Sequence, residues 1–590
     1  MTSNLVSIKN VSIGFPSADG FNKVTDGVSF DIAQGEVLAL VGESGSGKTI
    51  ISKALLQLLP DTAKILSGSV NFKGTDVSKL KGKALLQHRG ADIGMVFQEP
   101  LTSLNPALKI GEQLAEGLKL HRDMSPSERQ TACINMLMRV KMQDPERAMS
   151  QYPHEFSGGM RQRIMLASVM LLKPALLVAD EPTTALDVMI QKEVLDIMLG
   201  LVREEGISLL LVTHDLALVS EYADKIAVME KGLLVETGPA ASVLQNPQHA
   251  YTQRLLNSVP GKKRRAKRSF PEAPIIEATN VQVSFSDKPL LWWRKRTVYA
   301  VKSTSLSIRG GETLALVGES GSGKSTFGRA LLGLTDMAAG DIRFDGQAIA
   351  ANLQSRTTEE RRKMQLVFQD PFSSLNPRMT LEVILKESLR HDKSLSRTDK
   401  NTIVSHILSK VGLPIEFANR LPHELSGGQR QRVCIARAMI TEPTFIVADE
   451  PVSALDVTVQ AQVLQLLKQL QEDQGFALLF ISHDLAVVEE IADRVMVMYH
   501  GHIVEEGTVD QVFDTPLHPY TVALLNAAPR FRANPDTPAA TNIVTNHLDK
   551  RLSPTPLSLI RASGTALSGV QYHEENSGHK VSILTAEDST

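Results

Sequence analysis

The sequence predicts an α/β protein built from two tandem copies of one domain. Each copy is a parallel-sheet core with an inserted helical subdomain, and a C-terminal tail follows the second. Three observations predict this. The glycine-rich stretch "VGESGSGK" occurs at residues 41–48 and again at 317–324. Blocks behind it repeat at a fixed offset: 269 residues separate Ser157 from Ser426, Asp180 from Asp449 and His214 from His483. Short apolar runs such as "ALLVAD" and "FIVAD" end in acidic residues. Runs of that kind suit strands buried on both faces of a parallel sheet.

A chain of 590 residues exceeds what one core can hold, so several domains are expected. With 42% hydrophobic and 22% charged residues it reads as folded rather than disordered. The net charge of −2 gives no long-range pull towards nucleic acid, and no nucleic-acid partner is expected. Cys133 and Cys434 form no C-x-x-C pair, which argues against a zinc site or a disulfide framework and for reduced, buried thiols. The start "MTSNLVSIKN" lacks a basic stretch followed by an apolar one. No apolar run approaches the roughly 18–20 residues that span a bilayer. A cytoplasmic protein is expected, reaching any membrane process by docking.

The offset at the glycine loop, from Lys48 to Lys324, is 276 rather than 269, so the halves differ by small insertions near their front ends. The expected domains are 1–258 and 276–528. Between them, residues 259–275 carry the basic run "GKKRRAKRSFPEAP". A solvated linker is expected there, with contact to anionic lipid head groups as the sharper alternative. From 529 to 590 the composition turns towards Pro, Asn, Thr and Ser, which sets the tail apart.

The glycine stretch follows the pattern G-x-x-x-x-G-K-[ST] between a strand and a helix, a phosphate cradle. Gly42, Gly45 and Gly47 let the backbone curl around Glu43, Ser44 and Ser46 so that its N–H groups face inward. Lys48 adds a charge for the outer phosphates, the helix behind it adds its positive end, and the Thr49 hydroxyl suits Mg²⁺. Gly318, Glu319, Ser320, Gly321, Ser322, Gly323, Lys324, Ser325 and Thr326 repeat the arrangement. At the end of the apolar strand, Asp180 is placed to orient the Mg²⁺ shell and Glu181 to accept a proton from attacking water. Asp449 and Glu450 repeat that pair. His214 and His483 each lie 34 residues beyond their aspartate, which points to a γ-phosphate contact.

Gln98 and Gln369 end "GMVFQ" and "QLVFQ", and each precedes a proline-bearing turn. Helical stretches follow. Ser125, Pro126 and Glu128 predict a capping box with Pro at the first helical position, and Ser396 with Asp399 predicts another. A helical subdomain is thereby inserted before "FSGGMRQR" (156–163) and "LSGGQRQR" (425–432).

The order of glycine loop, glutamine, S-G-G block, Asp-Glu strand and histidine resembles the nucleotide-binding domains of ABC transporters, along the whole of both halves. "FSGGMRQR" with "DEPTTALDV" resembles one ATPase subunit of oligopeptide and dipeptide importers, and "LSGGQRQR" with "DEPVSALDV" the other. "QHAYTQRLL" (248–256) and "LHPYTVALL" (517–525) are similar to the H-P-Y-T stretch of those subunits, though Ala250 stands where proline is expected. The resemblance implies an ATPase with ATP and Mg²⁺, energising an importer of peptides or peptide-like solutes. It works with two membrane-spanning permease subunits and an extracytoplasmic solute-binding protein, peripherally on the cytoplasmic face of the inner membrane. A soluble tandem ATPase acting on ribosome or DNA is the alternative.

The resemblance also implies that Gln98 and Gln369 sense the γ-phosphate beside the metal, and that the halves pair head to tail. Lys48, Gln98, Asp180, Glu181 and His214 would then work with Ser426, Gly427 and Gly428. Lys324, Gln369, Asp449, Glu450 and His483 would work with Ser157, Gly158 and Gly159. Phe15 and Phe285 sit where the family places its adenine-stacking aromatic, with Tyr299 a rival in the second half. The turns after the two glutamines would carry the coupling surface for the membrane subunits. "SGHKVSI" (577–583) resembles the end of the importer subunits' accessory region, and since residues 529–590 hold no cysteine, a thiolate-held iron–sulfur cluster is not expected in this degraded tail.

Overall fold

The computed structural model describes residues 4–531, except 19, 98–102, 184–185, 262–263, 287–296, 393 and 454, together with 570–575 and 578–584. These residues form two compact units, one carried by residues 1–259 and one mainly by residues 260–528 with the C-terminal hairpin.

In the first unit, β1 (Asn4–Ser17), β2 (Gly20–Ala33), β4 (Lys64–Phe72) and β5 (Thr75–Asp76) make an antiparallel sheet in the order β2-β1-β4-β5. The core sheet holds β3 (Val37–Val41), β6 (Ile93–Val96), β7 (Leu176–Asp180), β8 (Ser208–Thr213), β9 (Lys225–Glu230) and β10 (Leu233–Pro239), in the order β10-β9-β3-β8-β7-β6. All its pairings are parallel except β9–β10. Every residue of β3, β7 and β8 is buried, which is why these strands read as unbroken apolar runs. Alternate residues serve opposite faces. Leu40, Val178 and Leu210 pack with Val6, Ile8 and Val70 of the antiparallel sheet and with Ile51 and Leu55 of the helix Lys48–Leu55. Leu177, Ala179 and Leu211 pack with Leu114, Leu137 and Ile164 of the helical subdomain. Each such fully buried aliphatic contributes about 1.5–3 kcal/mol.

That subdomain comprises Ile110–His121, Pro126–Arg139 and the S-G-G helix Gly158–Met170. The capping box expected from Ser125 and Glu128 is present: Glu128 N–H donates to Ser125 Oγ at 3.3 Å, and Ser125 N–H to Glu128 Oε2 at 2.7 Å. Ser396 and Asp399 close the matching box in the second unit at 2.9 and 3.2 Å. Both cysteines are buried, and burial pushes the Cys133 thiol up to about 11.

The second unit repeats the plan. β11 (Pro274–Ser286), β12 (Thr297–Arg309), β14 (Ala339–Phe344) and β15 (Gln347–Ala348) form its antiparallel sheet. The core sheet holds β13 (Thr313–Val317), β16 (Met364–Val367), β17 (Phe445–Asp449), β18 (Ala477–Ile481), β19 (Arg494–Tyr499) and β20 (His502–Thr508), with the same neighbours as in the first unit. Here the sheet continues: β22 (His579–Leu584) pairs with β20, and β21 (Val570–Glu575) pairs with β22. His579 to Ile583 of the "SGHKVSI" stretch are thus built into the core sheet. His579 Nε2 lies 2.8 Å from Oε1 of Glu505, a fully buried carboxylate that also accepts the N–H groups of Leu517 (2.8 Å) and His518 (2.9 Å).

The basic run departs from the solvated linker expected of it. Arg264 donates to Glu489 at 2.8 Å and also engages Asp510 and Asp514. Arg265 donates to Gln471 at 2.8 Å, and Arg268 spans both oxygens of Asp493. The forked guanidinium matches a carboxylate better than water does once the two are held together, so these arginines strap the segment to the second unit. Their charges are committed to carboxylates rather than open to lipid head groups.

Replacing His579 with Ala removes the side-chain partner of a buried carboxylate. We expect a loss of about 1–3 kcal/mol in thermal or urea unfolding of the second unit. An unchanged unfolding midpoint would show that the hairpin adds nothing to the sheet.

Candidate active site

The glycine loops leave the carboxyl ends of β3 and β13. Gly42 and Gly318 have φ of 154° and 146°. A Cβ at Gly42 would lie 2.2 Å from the Met229 carbonyl oxygen, and one at Gly318 would lie 2.1 Å from that of Met498. No other residue fits there. Gly47 and Gly323, at φ 98° and 108°, cap the helices Lys48–Leu55 and Lys324–Leu331. Lys48 Nζ donates to the carbonyls of Gly42 and Glu43 at 2.7 and 2.8 Å, and Lys324 Nζ to those of Gly318 and Glu319 at 2.8 and 2.7 Å. Burial holds the Lys48 ammonium below its ordinary value, against the pull of nearby carboxylates led by Glu181.

Parallel strands put the acids beside these loops. Thr49 Oγ1 donates to Asp180 Oδ1 at 3.1 Å, and Ser325 Oγ to Asp449 Oδ1 at 2.6 Å. Burial raises both aspartates above the ordinary carboxylate range, partly offset by these hydroxyls. The next residues, Glu181 and Glu450, take a left-handed φ of 46°, and their N–H groups donate to Val212 and Ile481 carbonyls at 2.9 Å. This sparsely populated conformation turns the chain off the strand end and fixes where each glutamate emerges. His214 Nδ1 lies 3.3 Å from Glu181 Oε1, and His483 Nδ1 lies 3.2 Å from Glu450 Oε1. Burial works against charge on each histidine, but the glutamate's hydrogen bond and charge outweigh it and raise both. Burial likewise works against the Glu450 carboxylate, and the His483 contact outweighs it, leaving Glu450 below its ordinary value.

Gln369 joins this cluster by donating from Nε2 to Glu450 Oε2 at 2.8 Å. Gln98 lies outside the described residues. Phe15 stands opposite Asn22 on the β1–β2 ladder and Phe285, 52% exposed, stands opposite Val298. Tyr299 pairs with Ser284. None of these aromatics takes part in the hydrogen-bonded cluster. Among the described residues no group of three or more His, Cys, Asp or Glu could hold a metal by itself. One hydroxyl and one carboxylate per site fit Mg²⁺, which keeps several waters and takes further oxygens from phosphate.

Ser157 and Ser426 cap the two S-G-G helices. In the second, Gln429 Oε1 accepts the Ser426 N–H at 3.0 Å while Ser426 Oγ accepts the Gln429 N–H at 3.3 Å, a complete capping box. Met160 in the first offers only a weakly accepting thioether and closes no capping box, and the Ser157 Oγ accepts the Met160 N–H at 3.4 Å. The two glycines differ in what they are for. A Cβ at Gly159 would meet Ile190 Cγ2 at 2.3 Å and one at Gly428 would meet Val459 Cγ1 at 2.2 Å. Gly158 and Gly427 have ordinary room, 3.7 and 3.8 Å from the nearest side-chain atoms. The second glycine of each block therefore serves helix packing, and the first leaves the helix N-terminus open to an approaching group.

Sequence reasoning missed three contributors. Arg329 Nη2 lies 3.4 Å from Asp449 Oδ2, where the first unit has Lys53. The Gln429 cap was readable as an S-x-x-Q box but was hidden by the S-G-G motif it overlaps. Tyr251 and Tyr520, in the repeated H-x-Y-T stretches, accept hydrogen bonds from Glu43 and Glu319 N–H at 3.0 Å.

The family model described as "ABC transporter" matches residues 25–184 and 301–453, and that described as "Oligopeptide/dipeptide transporter, C-terminal region" matches 235–282 and 504–549. The chain is 44% identical over 531 residues to the "Peptidoglycan transport ATP-binding protein YejF" of Agrobacterium fabrum, covering 89% of this chain and 97% of that protein. It is 42% identical over 557 residues to the "Glutathione import ATP-binding protein GsiA" of Pectobacterium atrosepticum, covering 89% of each. The protein of that name from Escherichia coli K12 is 43% identical over 561 residues, covering 89% of this chain and 90% of that one.

The packing role of the second glycine is testable. Gly428→Ala should lower the thermal midpoint, with a cost of about 1–3 kcal/mol, and Val459→Ala should restore part of it. Gly427→Ala should leave the midpoint nearly unchanged. Equal melting losses for Gly427→Ala and Gly428→Ala would refute the distinction.

Proposed function

Because this chain belongs to the ABC transporter family and carries two ATP-binding domains, we propose that it is the ATPase that energises uptake of peptides or peptide-like solutes. The solute class is that of oligopeptides, dipeptides and glutathione. The observation that carries this reading is the doubled set of catalytic groups, loop lysine, hydroxyl–aspartate pair and glutamate–histidine pair, in a chain that matches transport and import ATP-binding proteins along most of their length. No helix among the described residues is long and apolar enough to cross a membrane. Two permease subunits would supply the translocation path and an extracytoplasmic binding protein would deliver the solute. The chain would work peripherally at the cytoplasmic face of the inner membrane. The full-length matches are to transport proteins, so the ribosome- or DNA-directed alternative is not adopted.

In this reading the loop N–H groups and Lys48 or Lys324 receive the ATP phosphates, with the S-G-G helix N-termini as further donors. Thr49 with Asp180, and Ser325 with Asp449, would hold Mg²⁺, which would supply positive charge against that of the phosphates. Glu181 and Glu450 accept the proton of the attacking water. For Glu450 the His483 contact keeps the carboxylate ionised and therefore able to do so. Water's oxygen attacks the γ-phosphorus, the bond to the β-phosphate oxygen breaks, and ADP and phosphate leave.

Gln369 ties this chemistry to the following turn. Phe372, 66% exposed, stacks under the Arg430 guanidinium at 3.8 Å, and Arg437 donates to the Ser374 carbonyl, so the turn rests on the S-G-G helix. A partner helix seated on that turn would feel movement of either. The half-buried Ser374 donates its hydroxyl to the Asp370 carbonyl at 2.8 Å, whereas Ser373 is exposed and reaches that carbonyl at 3.4 Å, so Ser373 is the better attachment point, with Ser103 in the first unit.

Three outcomes are expected. Glu181→Gln and Glu450→Gln should each lower ATP turnover strongly, by roughly 10²–10⁴ at the affected site, with ATP binding kept. If Glu450→Gln hydrolysed and transported like the wild type while Glu181→Gln did neither, the second site would not be catalytic. Cysteines at Ser103 and Ser373 should cross-link to the permease subunits in membranes, and a deletion strain should lose uptake of a di-, tri- or oligopeptide or of glutathione. Capture only from the opposite face, or unimpaired uptake of all four, would overturn the assignment.

A further inference from the structure

In both units a tyrosine from far along the chain reaches the glycine loop. Tyr251 lies on the helix Ala250–Asn257 and Tyr520 on Pro519–Ala527, and both are almost fully buried. The Tyr251 hydroxyl accepts the N–H of Glu43 at 3.0 Å, and the Tyr520 hydroxyl accepts that of Glu319 at the same distance. These N–H groups belong to the peptide units whose carbonyls are Gly42 O and Gly318 O. Those carbonyls hold Lys48 Nζ at 2.7 Å and Lys324 Nζ at 2.8 Å. One peptide plane is thus gripped at its N–H end by a tyrosine and at its C=O end by the phosphate-binding lysine.

Such a plane needs a grip. It follows Gly42 or Gly318, residues that lack the Cβ which would otherwise restrict rotation. A turned plane would withdraw the carbonyl that holds the lysine. The helix carrying each tyrosine is itself fixed at its start. His249 Nδ1 accepts the Tyr251 N–H at 3.2 Å, and Glu236 accepts the N–H groups of Gln248 and His249 at 2.8 and 3.1 Å. His518 Nδ1 accepts the Tyr520 N–H at 3.1 Å, and Glu505 holds Leu517 and His518 in the same way. The histidine and tyrosine of the H-x-Y-T stretch therefore have separate tasks, capping the helix and reaching the loop.

We propose that Tyr251 and Tyr520 are positioning residues of the two ATP sites, orienting the glycine-loop peptide that aims Lys48 and Lys324 at the phosphates. The Ala250 departure from the H-P-Y-T pattern does not touch this task, since the tyrosine contact has the same length in both units. The proposal rests on the ATPase reading only for the identity of the ligand.

The test uses the full chain with Tyr251→Phe and Tyr520→Phe singly, which keep the ring and remove the hydroxyl. Tyr222→Phe is the control, because that hydroxyl contacts Asp196 away from the loops. Two readouts are taken: amide hydrogen exchange of peptides spanning 42–47 and 318–323 without nucleotide, and the ATP dependence of hydrolysis. Loss of one buried hydrogen bond should speed exchange at Glu43 or Glu319 about three- to ten-fold, in the mutated unit's loop only. KM for ATP should rise by a similar factor, with kcat changed less, because lysine–phosphate contact is made before and during the reaction. Unchanged KM in both variants would overturn the proposal, as would an equal rise in Tyr222→Phe. Faster exchange throughout the unit would overturn it too, because the hydroxyl would then serve the fold at large. ATP binding by equilibrium dialysis separates this from failure of the ATPase reading, which would show as no ATP binding by the unmutated chain.

Discussion

A side chain at residue 42 would stand 2.2 Å from the Met229 carbonyl, and one at residue 318 would stand 2.1 Å from that of Met498. This close approach of the glycine loop to the end of the neighbouring strand governs each unit. It brings the loop backbone down onto the edge of a sheet whose central strands are wholly buried. Peptide groups rather than side chains then line the loop, and the lysine can be held by two carbonyls at a set height above it. Widening the approach would free the loop and also move the lysine away from Asp180 or Asp449, which are fixed by strand register.

Charged groups cluster at this edge because the strands offer no polar partners inside the sheet. Each is stabilised by the next. Asp180 and Asp449 are buried enough to be raised, and a loop hydroxyl compensates each. The glutamates leave the strand ends through a left-handed turn and meet histidines from the adjacent strand. Burial works against charge on both histidines and on Glu450, and in each of these three the partner outweighs it. In the proposed reaction the carboxylate has to be ionised before it can take a proton from water, and in the second unit the His483 contact favours that state of Glu450.

What the sequence made legible was local. Strand cores showed as unbroken apolar runs, and the capping boxes at Ser125 and Ser396 showed because both partners lie within one turn. Aspartate, glutamate and histidine were found at fixed spacing, and the lysine within its repeated glycine loop, because the duplication displayed them twice. The missed contacts are long-range: Tyr251 meets Glu43 across 208 residues, and His579 meets Glu505 across 74. Nothing in local periodicity reports a tyrosine hydroxyl pointing at a distant loop. The basic run misled for the same reason. A cluster of arginines looks solvated until the acids that receive them, Glu489, Asp493 and Asp514, are folded beside it. The left-handed glutamates escaped notice because φ > 0 is expected of glycine, not of a residue at a strand end.

The two units agree in the atoms that would face nucleotide and differ in what stands behind them. The lysine, the glutamate–histidine pair and the loop tyrosine have nearly the same distances in both, while the hydroxyl–aspartate bond is shorter in the second unit, 2.6 against 3.1 Å. The support differs: Gln429 completes a cap that Met160 does not, Arg329 reaches Asp449 where Lys53 stands in the other unit, and among the described residues the arginine strap and the hairpin with His579 belong to the second unit. A second-sphere difference of this kind leaves the chemistry possible at both sites while changing how firmly each is held before ligand arrives. Preorganisation of donors governs their worth in a transition state. On the proposed mechanism, a difference in rate between the two copies should trace to the cap, the strap and the hairpin, because the lysine, the hydroxyl–aspartate pair and the glutamate–histidine pair stand in both.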